Sequence, residues 1–428
     1  MYSYIKSHLL LLTIITLSSW HIFHAGPFVY VGNNDDTTVS VIDAATNTVI
    51  TTINIGARPN YNGLAITPNN TTVYVTCADN TVKLIDVAAN TYLPLKDIPM
   101  GALPQSIAIT HNGTYAYVSC KDNTVKRINI ASNAIDTTIT GFNNPFDIAI
   151  APNDLTAYVG DKGANQIVPL DLAANTWGTP VLLPSPLGIA ITPDNSYAYV
   201  VNGLGSGATF QSKIYQLNLS NRLSPFISNT QSLSRNTELA RGVAIPLSGS
   251  TAYTCDYNGG RIEAINITNP ASLSLGNITF ATNEPWMIAF TPNQNIAYIT
   301  DNSQNTVLVL DITTPLSPII ITEIPVGYAP TGIAITFGPA APTHVVGTLK
   351  TINHQSQCNL VIKWRASSSS DVVSYTIYGD NSPIGSVSAH DRLRFKTVLY
   401  GSNCAKIFSV AAVDSNGVES YHVPATIA

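Results

Sequence analysis

Residues 332–336 read GIAIT, and the same pattern stands upstream at 63–67 (GLAIT), 106–110 (SIAIT), 147–151 (DIAIA) and 188–192 (GIAIT). Looser copies occur at 242–246 (GVAIP) and 287–291 (MIAFT). Each earlier copy is followed by a turn and a second run of the type Thr-x-Val-Tyr-Val, whereas 332–336 runs into Phe337, Gly338 and Pro339. The opposite end is the complement: Phe28-Val29-Tyr30-Val31 is a second run with no first run before it. Short runs of β-branched and aromatic residues bounded by Asn, Asp, Pro and Gly are strands separated by turns. Seven first strands and seven second strands balance if the chain closes into a ring, the strand at 332–336 completing the sheet that 28–31 begins. The expected fold is all-β, a seven-bladed β-propeller closed by pairing of N- and C-terminal strands.

Each repeat holds four short strands, expected in the second repeat at 63–67, 72–76, 81–86 and 93–98. The third strand ends in a recurrent Ile/Leu-Asp, at Ile42-Asp43, Ile85-Asp86, Leu170-Asp171 and Leu310-Asp311. Successive Tyr positions lie roughly 41–45 residues apart, the period of a propeller blade. The interval from Tyr199 to Tyr253 is longer by about ten.

Charged residues make up 11 % of the 428, and Tyr (20) outnumbers Phe (11), a β-rich composition. Residues 1–25 read as a secretory signal: Lys6 is the basic part, 9–17 (LLLLTIITL) the apolar part, and Ala25 a candidate cleavage position. Phe23 is large where a small residue is preferred, which leaves Ser18 or Ser19 as alternative sites. The apolar stretch is short for a membrane span, no Cys follows it, and no later segment is long and apolar enough to span. An exported protein is expected, periplasmic, cell-surface or secreted. Residues 26–342 carry 12 Lys/Arg against 20 Asp/Glu, and 343–428 carry 7 against 5. An acidic ring repels phosphate backbones, so no nucleic-acid partner is expected.

Residues 38–48 (TVSVIDAATNT) and 186–202 (PLGIAITPDNSYAYVVN) resemble the repeats of the YVTN-type, surface-layer β-propeller family, over about 26–340. The resemblance implies a fold. The family and its propeller relatives include surface-layer proteins, binding proteins and a few enzymes, so function needs the site. Residues 343–428 resemble a fibronectin type III domain, a small β-sandwich: Trp364 matches the core Trp and 412–420 the terminal hairpin, while Lys406 stands where that family places its corner Tyr.

Strand alternation puts the connections after second strands, and those leading to the next blade, on one face, the top. Both unusual stretches of the fifth repeat, 203–211 (GLGSGATFQ) and 225–240, are expected to rise there. Long loops on one rim are either tolerated insertions or functional. The residues just before the inner strands should line the top mouth: Asn62, Gln105, Phe146, Leu187, Arg241, Trp286 and Thr331. Trp, Phe and Arg on an exposed rim, with Asp147 and Glu284 close by, would stack and hydrogen-bond a ligand. The competing reading is that Phe146 and Trp286 wedge between blades.

Cys358 shares strand parity with Leu360, Ile362 and Trp364, and Cys404 with Phe408, Val410 and Ala412, so the two suit a disulfide between facing sheets. Its long closed loop would contribute about 4 kcal/mol in the chain-entropy model. Cys77 and Cys120 sit where other repeats place Asn33, Asp161, Asn202, Asp256 or Asp301 and are expected as free thiols, and Cys255, one position out of that register, has no evident partner. The Asp/Asn series reads as turn-stabilising side chains rather than a metal ring. Between 26 and 342 the one His is His111, no Cys-x-x-Cys-His run occurs, and only two Met follow Met1, so no haem, copper or other cofactor is expected. No Gly-x-Ser-x-Gly elbow or phosphate-cradling loop occurs.

Three functions remain open. The first is an exported, non-catalytic binding protein using the top face on an extracellular or envelope protein, peptide or glycan. The alternative is a lactonase-like hydrolase with Asp147, Glu284 and Arg241 at the mouth. A structural envelope protein whose repeats only assemble is a third.

Overall fold

The computed structural model describes residues 27–203, 212–234, 239–276, 284–292 and 294–336 of the repeat region. Beyond it, the described residues are 343–352, 357–365, 372–379, 382–389, 393–400, 408–414, 423–424 and 426–427. Residues 1–25, expected to be a secretory signal, and 204–211 of the 203–211 stretch lie outside them. The first part is a seven-bladed β-propeller and the second a β-sandwich. Among the described residues the helical elements are two single 3₁₀ turns, Pro94–Lys96 and Lys162–Ala164.

Blade 1 is the closing blade. Its sheet runs Thr48–Asn54, Thr38–Asp43, Phe28–Asn33, Pro330–Ile335, with Tyr30 opposite Ala334 and Val31 opposite Ile333. The Thr of each GIAIT copy shows why the last copy needs the chain start. Thr67 Oγ1 accepts from Thr72 N at 3.1 Å, and Thr192 Oγ1 from Tyr197 N at 3.0 Å, capping the turn into the second strand. Thr336 Oγ1 accepts from Phe28 N at 2.7 Å, the same bond made across 308 positions of sequence.

There is no single core. Seven apolar clusters each fill one junction between neighbouring blades; Tyr30, Val39 and Val41 of blade 1 meet Leu64, Val73 and Val75 of blade 2. The ring closes where Val29, Val31 and Ile42 meet Tyr298, Val307 and Val309 of blade 7. Middle strands are covered on both faces, which is why FVYV or TVYV reads as a continuous apolar run rather than an alternating one.

The seven second-strand tyrosines, 30, 74, 117, 158, 199, 253 and 298, are all buried. Six of them latch to the next blade. Tyr74 donates to Asn133 Oδ1 at 2.5 Å, Tyr298 to Asn47 Oδ1 at 2.6 Å, and Tyr253 to Pro315 O at 2.7 Å. The turns after the third strands, opened by Ile/Leu-Asp or Ile/Leu-Asn, present these acceptors. Asp43 and Asp171 take backbone N–H groups at the turn start, and Asn47, Asn90, Asn133 and Asn175 adopt positive φ, which Asn tolerates. Tyr199 departs: it accepts from Gln216 Nε2 at 2.8 Å within its own blade.

Three sequence expectations change. The inner strands begin before the GIAIT copies, as in Pro59–Ile66 and Pro104–Ile109. The fourth strand of the second repeat is not 93–98: Pro94 lacks an N–H, and the edge divides into Thr91–Tyr92 and Ile98–Pro99 around a 3₁₀ turn. Residues 225–240 are not a plain loop, since Phe226–Ser232 is the outer strand of blade 5.

Glycine opening the pattern has a steric cause at Gly242, where a Cβ would lie 2.6 Å from the carbonyl oxygen of Trp286 in the next blade. A Gly242→Ala exchange is expected to cost about 1–3 kcal/mol, checked by denaturant unfolding. Gly276→Ala, with its nearest contact at 3.1 Å, should cost less.

The sandwich pairs two four-stranded sheets. One runs Arg394–Tyr400, Gln357–Arg365, Thr343–Ile352, Thr426–Ile427; the other runs Ser382–Ser388, Val372–Gly379, Phe408–Asp414, Val423–Pro424. Leu360, Ile362 and Trp364 are buried with Tyr375, Ile377, Phe408 and Val410, and the Trp364 and Tyr375 rings lie 5.4 Å apart. The backbone of Cys358 pairs with Thr351 and Leu399, but Cys404 lies outside the described residues, and with it the expected disulfide.

Candidate ligand-binding site at the mouth of the ring

Every inner strand carries a register shift near its start, and the residue displaced is the one expected at the mouth. Pro104 pairs with Cys120 and Ser106 with Ser119, so Gln105 is extra; Phe146, Leu187, Arg241, Trp286 and Thr331 hold the same slot. A bulge bends the strand and re-aims the extra side chain. In blade 2 the bulge is longer: between the pairs Pro59–Cys77 and Leu64–Val75 it holds Asn60, Tyr61, Asn62 and Gly63. Asn62 forms a parallel bridge with Ser106 that joins blades 2 and 3 into one sheet.

The expected exposed rim is not what forms. Asn62, Gln105, Phe146, Leu187, Trp286 and Thr331 are buried, and Arg241 is half-buried. The blades converge toward the axis there, so neighbouring bulges cover one another. The Phe146 carbonyl accepts from Ser119 Oγ of blade 3 at 2.9 Å, and the Thr331 carbonyl from Thr300 Oγ1 of blade 7 at 2.9 Å.

Tyr61 rises from the long bulge and reaches past blade 1 to stack on Trp286 of blade 7, with centroids 5.0 Å apart and planes at 17°. Tyr257, which follows the second strand of blade 6, meets Trp286 edge-on at 4.9 Å. Between the rings lies Arg241 of blade 6, its guanidinium carbon 4.2 Å from the Trp286 centroid, 5.1 Å from that of Tyr257 and 6.0 Å from that of Tyr61. Trp286 is 3 % exposed and Tyr61 37 %, so the Trp is the floor and the Tyr the accessible part. Burial lowers the Arg241 pKa, opposed by the phenols of Tyr257 and Tyr61.

Asp147 and Glu284 stand apart in role. Asp147 is buried in the ring and ties four blades together: Oδ1 accepts from Ser106 Oγ at 2.8 Å, Oδ2 from Ile189 N at 3.0 Å, and Asn62 also donates. Burial pushes its pKa up to about 6 against these bonds. Glu284 precedes the inner strand of blade 7 and accepts from the Tyr257 hydroxyl. None of the bonds that Asp147 makes involves Glu284, so the two acids do not act as a directly bonded pair. Lys162 of blade 4 lies over the Phe146 ring at 5.2 Å; burial, then the charges of Arg241 and Lys121, hold its pKa below the ordinary value.

Sequence reading named Arg241 and Trp286 but missed Tyr61, Tyr257, Lys121 and Lys162. A signal existed. Lys121, Lys162 and Tyr257 each directly follow a second strand, where the backbone docks on the loop entering the inner strand, as in Lys121 N to Leu103 O and Tyr257 N to Leu239 O. The two extra residues of PNYNG at 59–63, against PQS at 104–106, mark Tyr61.

The other polar candidates are structural. Asp161 accepts from Asn143 N at 2.7 Å, Asn202 from Lys213 N at 2.8 Å, and Asp301 from Glu284 N at 3.3 Å. His111 bonds Asp154 of the next blade at 2.9 Å. Cys77, Cys120 and Cys255 are free and buried, and burial raises each thiol's pKa, that of Cys120 to about 12, which keeps them unreactive. Among the described residues no group of three or more His, Cys, Asp and Glu is placed to hold a metal, and no helix is long and apolar enough to cross a membrane.

No protein-family model matches the chain, and no curated protein matches its sequence. Solved structures do. The periplasmic gluconolactonase of Pseudomonas aeruginosa matches with a TM-score of 0.60 at 14 % identity, over 73 % of this chain and 99 % of that one. A candidate 6-phosphogluconolactonase of Bacteroides fragilis matches with a TM-score of 0.62 at 13 % identity, over 73 % and 98 %. The Swd1 propeller domain of Myceliophteria thermophila matches with a TM-score of 0.51 at 10 % identity, over 70 % and 93 %. At such identities the likeness shows the fold: this chain contains a β-propeller.

Proposed function

We propose that the chain is an exported ligand-binding protein that uses the mouth of its propeller. The observation that carries this is the gathering of Tyr61, Tyr257 and Trp286 from blades 2, 6 and 7 around one guanidinium. The fold does not require them, because the latches between blades are made by other tyrosines on the strands themselves. Aromatic surface beside an oriented cation is recognition chemistry. Partners of the expected kind are glycans, peptides or exported proteins, and the repeats fit the YVTN-type resemblance. The C-terminal sandwich, with its fibronectin type III-like Trp364 core, serves as a spacer or second contact module. The test is binding of the mature protein to glycan and envelope-protein arrays beside a Tyr61→Ala/Trp286→Ala variant. Loss of at least about tenfold in affinity is expected, on the scale of losing aromatic anchors; equal binding by both proteins would remove the mouth from the reading.

A second reading, a lactonase-like hydrolase, is favoured by the likeness to the Pseudomonas gluconolactonase. Glu284 is then the candidate base, since the carboxylate of Asp147 is occupied by its blade contacts. A lactone hydrolysis screen with Glu284→Gln as control decides it: turnover by the parent but not the variant would promote the enzyme.

A further inference from the structure

Three successive bulge residues, Arg241 of blade 6, Trp286 of blade 7 and Thr331 of blade 1, share a property beyond position. Each carries a buried polar atom with no hydrogen-bond partner: Arg241 Nε, Trp286 Nε1 and Thr331 Oγ1. Other buried polar atoms of the ring also lack a partner, among them Thr76 Oγ1, Trp177 Nε1 and Thr254 Oγ1, whereas Ser119, Thr300 and Asp147 are bonded across junctions; what sets the three apart is that they hold one bulge slot on consecutive blades. An unpaired buried donor costs about 1–3 kcal/mol, more when it is charged. Three on neighbouring strands at one mouth form a donor set that awaits an acceptor.

The charge agrees. Arg58, Lys83, Lys126, Arg127 and Arg222 each pair with a carboxylate. Arg241 makes no ion pair among the described residues, and its cage consists of rings that stabilise a cation through their faces without neutralising it. Stacking leaves the in-plane N–H edge of a guanidinium free, and that edge matches an oxyanion in two-pronged geometry. Lys162 lies on the same face over Phe146, likewise without an ion pair among the described residues. Glu284 stands beside the cage and accepts from the Tyr257 hydroxyl, so the positive feature is local to the Arg241 guanidinium.

We propose that the mouth is an oxyanion site: Arg241 binds the carboxylate, sulfate or phosphate group of a small molecule, Trp286 Nε1 and Thr331 Oγ1 add hydrogen bonds, and Tyr61 covers the bound group. This rests on the mouth being the binding site and adds the chemical class of what binds.

Calorimetric titration of the mature full chain with galactose, galacturonate, galactose 6-sulfate and galactose 6-phosphate tests it, with Arg241→Gln, Arg241→Lys and Trp286→Ala alongside. The acids are expected to bind at least about tenfold more tightly than galactose, with affinity falling as salt rises. Arg241→Gln should lose that preference, and Arg241→Lys should keep part of it. The ligand-free Arg241→Gln variant loses its cation–ring contacts and should melt slightly lower, so the acid preference, which a merely structural Arg would not set, is the deciding readout. Which acid binds best distinguishes carboxylate from sulfate and phosphate. Galactose bound as tightly as the acids, and lost in Trp286→Ala, would overturn the oxyanion while keeping the mouth. Acids bound equally by the parent and all variants would overturn both, and no binding by any probe would overturn the oxyanion site.

Discussion

An Asp147→Asn variant is expected to be more stable than the parent at pH 7 and equal to it near pH 4. The carboxyl is enclosed by blades 2 to 5, and burial raises its pKa to about 6 in the folded ring, against about 3.9 in an unfolded chain. Between those values the folded state holds a proton that the unfolded state has released. Raising the pH through this window therefore favours unfolding, by about 3 kcal/mol in total. The direction is opposite to that of Asp122 and Asp171, whose pKa values are lowered by their bonded partners and whose contribution is lost as acid is added. Asn suits the site, because its oxygen can accept from Ile189 N while its amide donates to Ser106 Oγ. Urea unfolding of both proteins at pH 4, 5, 6 and 7 reads the result. Parallel profiles would mean that Asp147 stays ionised when folded, and that the blade contacts outweigh burial.

Tyr298→Ala should cost about 3–5 kcal/mol, the range for truncating a large buried aromatic. This ring fills the junction of blades 7 and 1, where its hydroxyl donates to Asn47 at 2.6 Å. That junction is where the chain ends meet, so its loss strikes the closure as well as the local packing. Tyr298→Phe isolates the hydroxyl and should cost about 1 kcal/mol, leaving the Asn47 acceptor unpaired. Tyr199→Phe is the internal control. Its hydroxyl bonds Gln216 inside its own blade, so any loss should stay within blade 5 and leave protection of the terminal strands unchanged. Hydrogen exchange on Phe28–Asn33 separates the cases: Tyr298→Ala should expose these amides well before global unfolding, and equal protection in all variants would show that the strand pairing alone holds the ring shut.

The repeats made the ring legible. Tyr at a fixed place, Asp then Asn at the third turn and Thr at the end of the first strand are each locally required, by latch, turn and cap, and a local requirement recurs at a fixed spacing. The unpaired copies at 28–31 and 332–336 even gave away the closure, because each lacked a partner that its pattern demands. Trp364 and the alternating Leu360 and Ile362 likewise marked the sandwich core.

The site was decided by the tertiary structure. Tyr61 and Trp286 stand 225 positions apart in the chain, and no local pattern joins them. They meet because bulges turn both side chains toward an axis that exists only once seven blades have closed. Asp147 looked like a rim acid from its place beside Phe146, yet a one-residue change of slot separates the mouth from the junction between blades, and burial made it a tie. Sequence alone determined the blades, their number and their closure, since those depend on contacts within a repeat or with its neighbour. Which side chains face each other across the mouth, and which polar atoms are left there without a partner, depends on the register and convergence of all seven blades, and only the folded ring sets those.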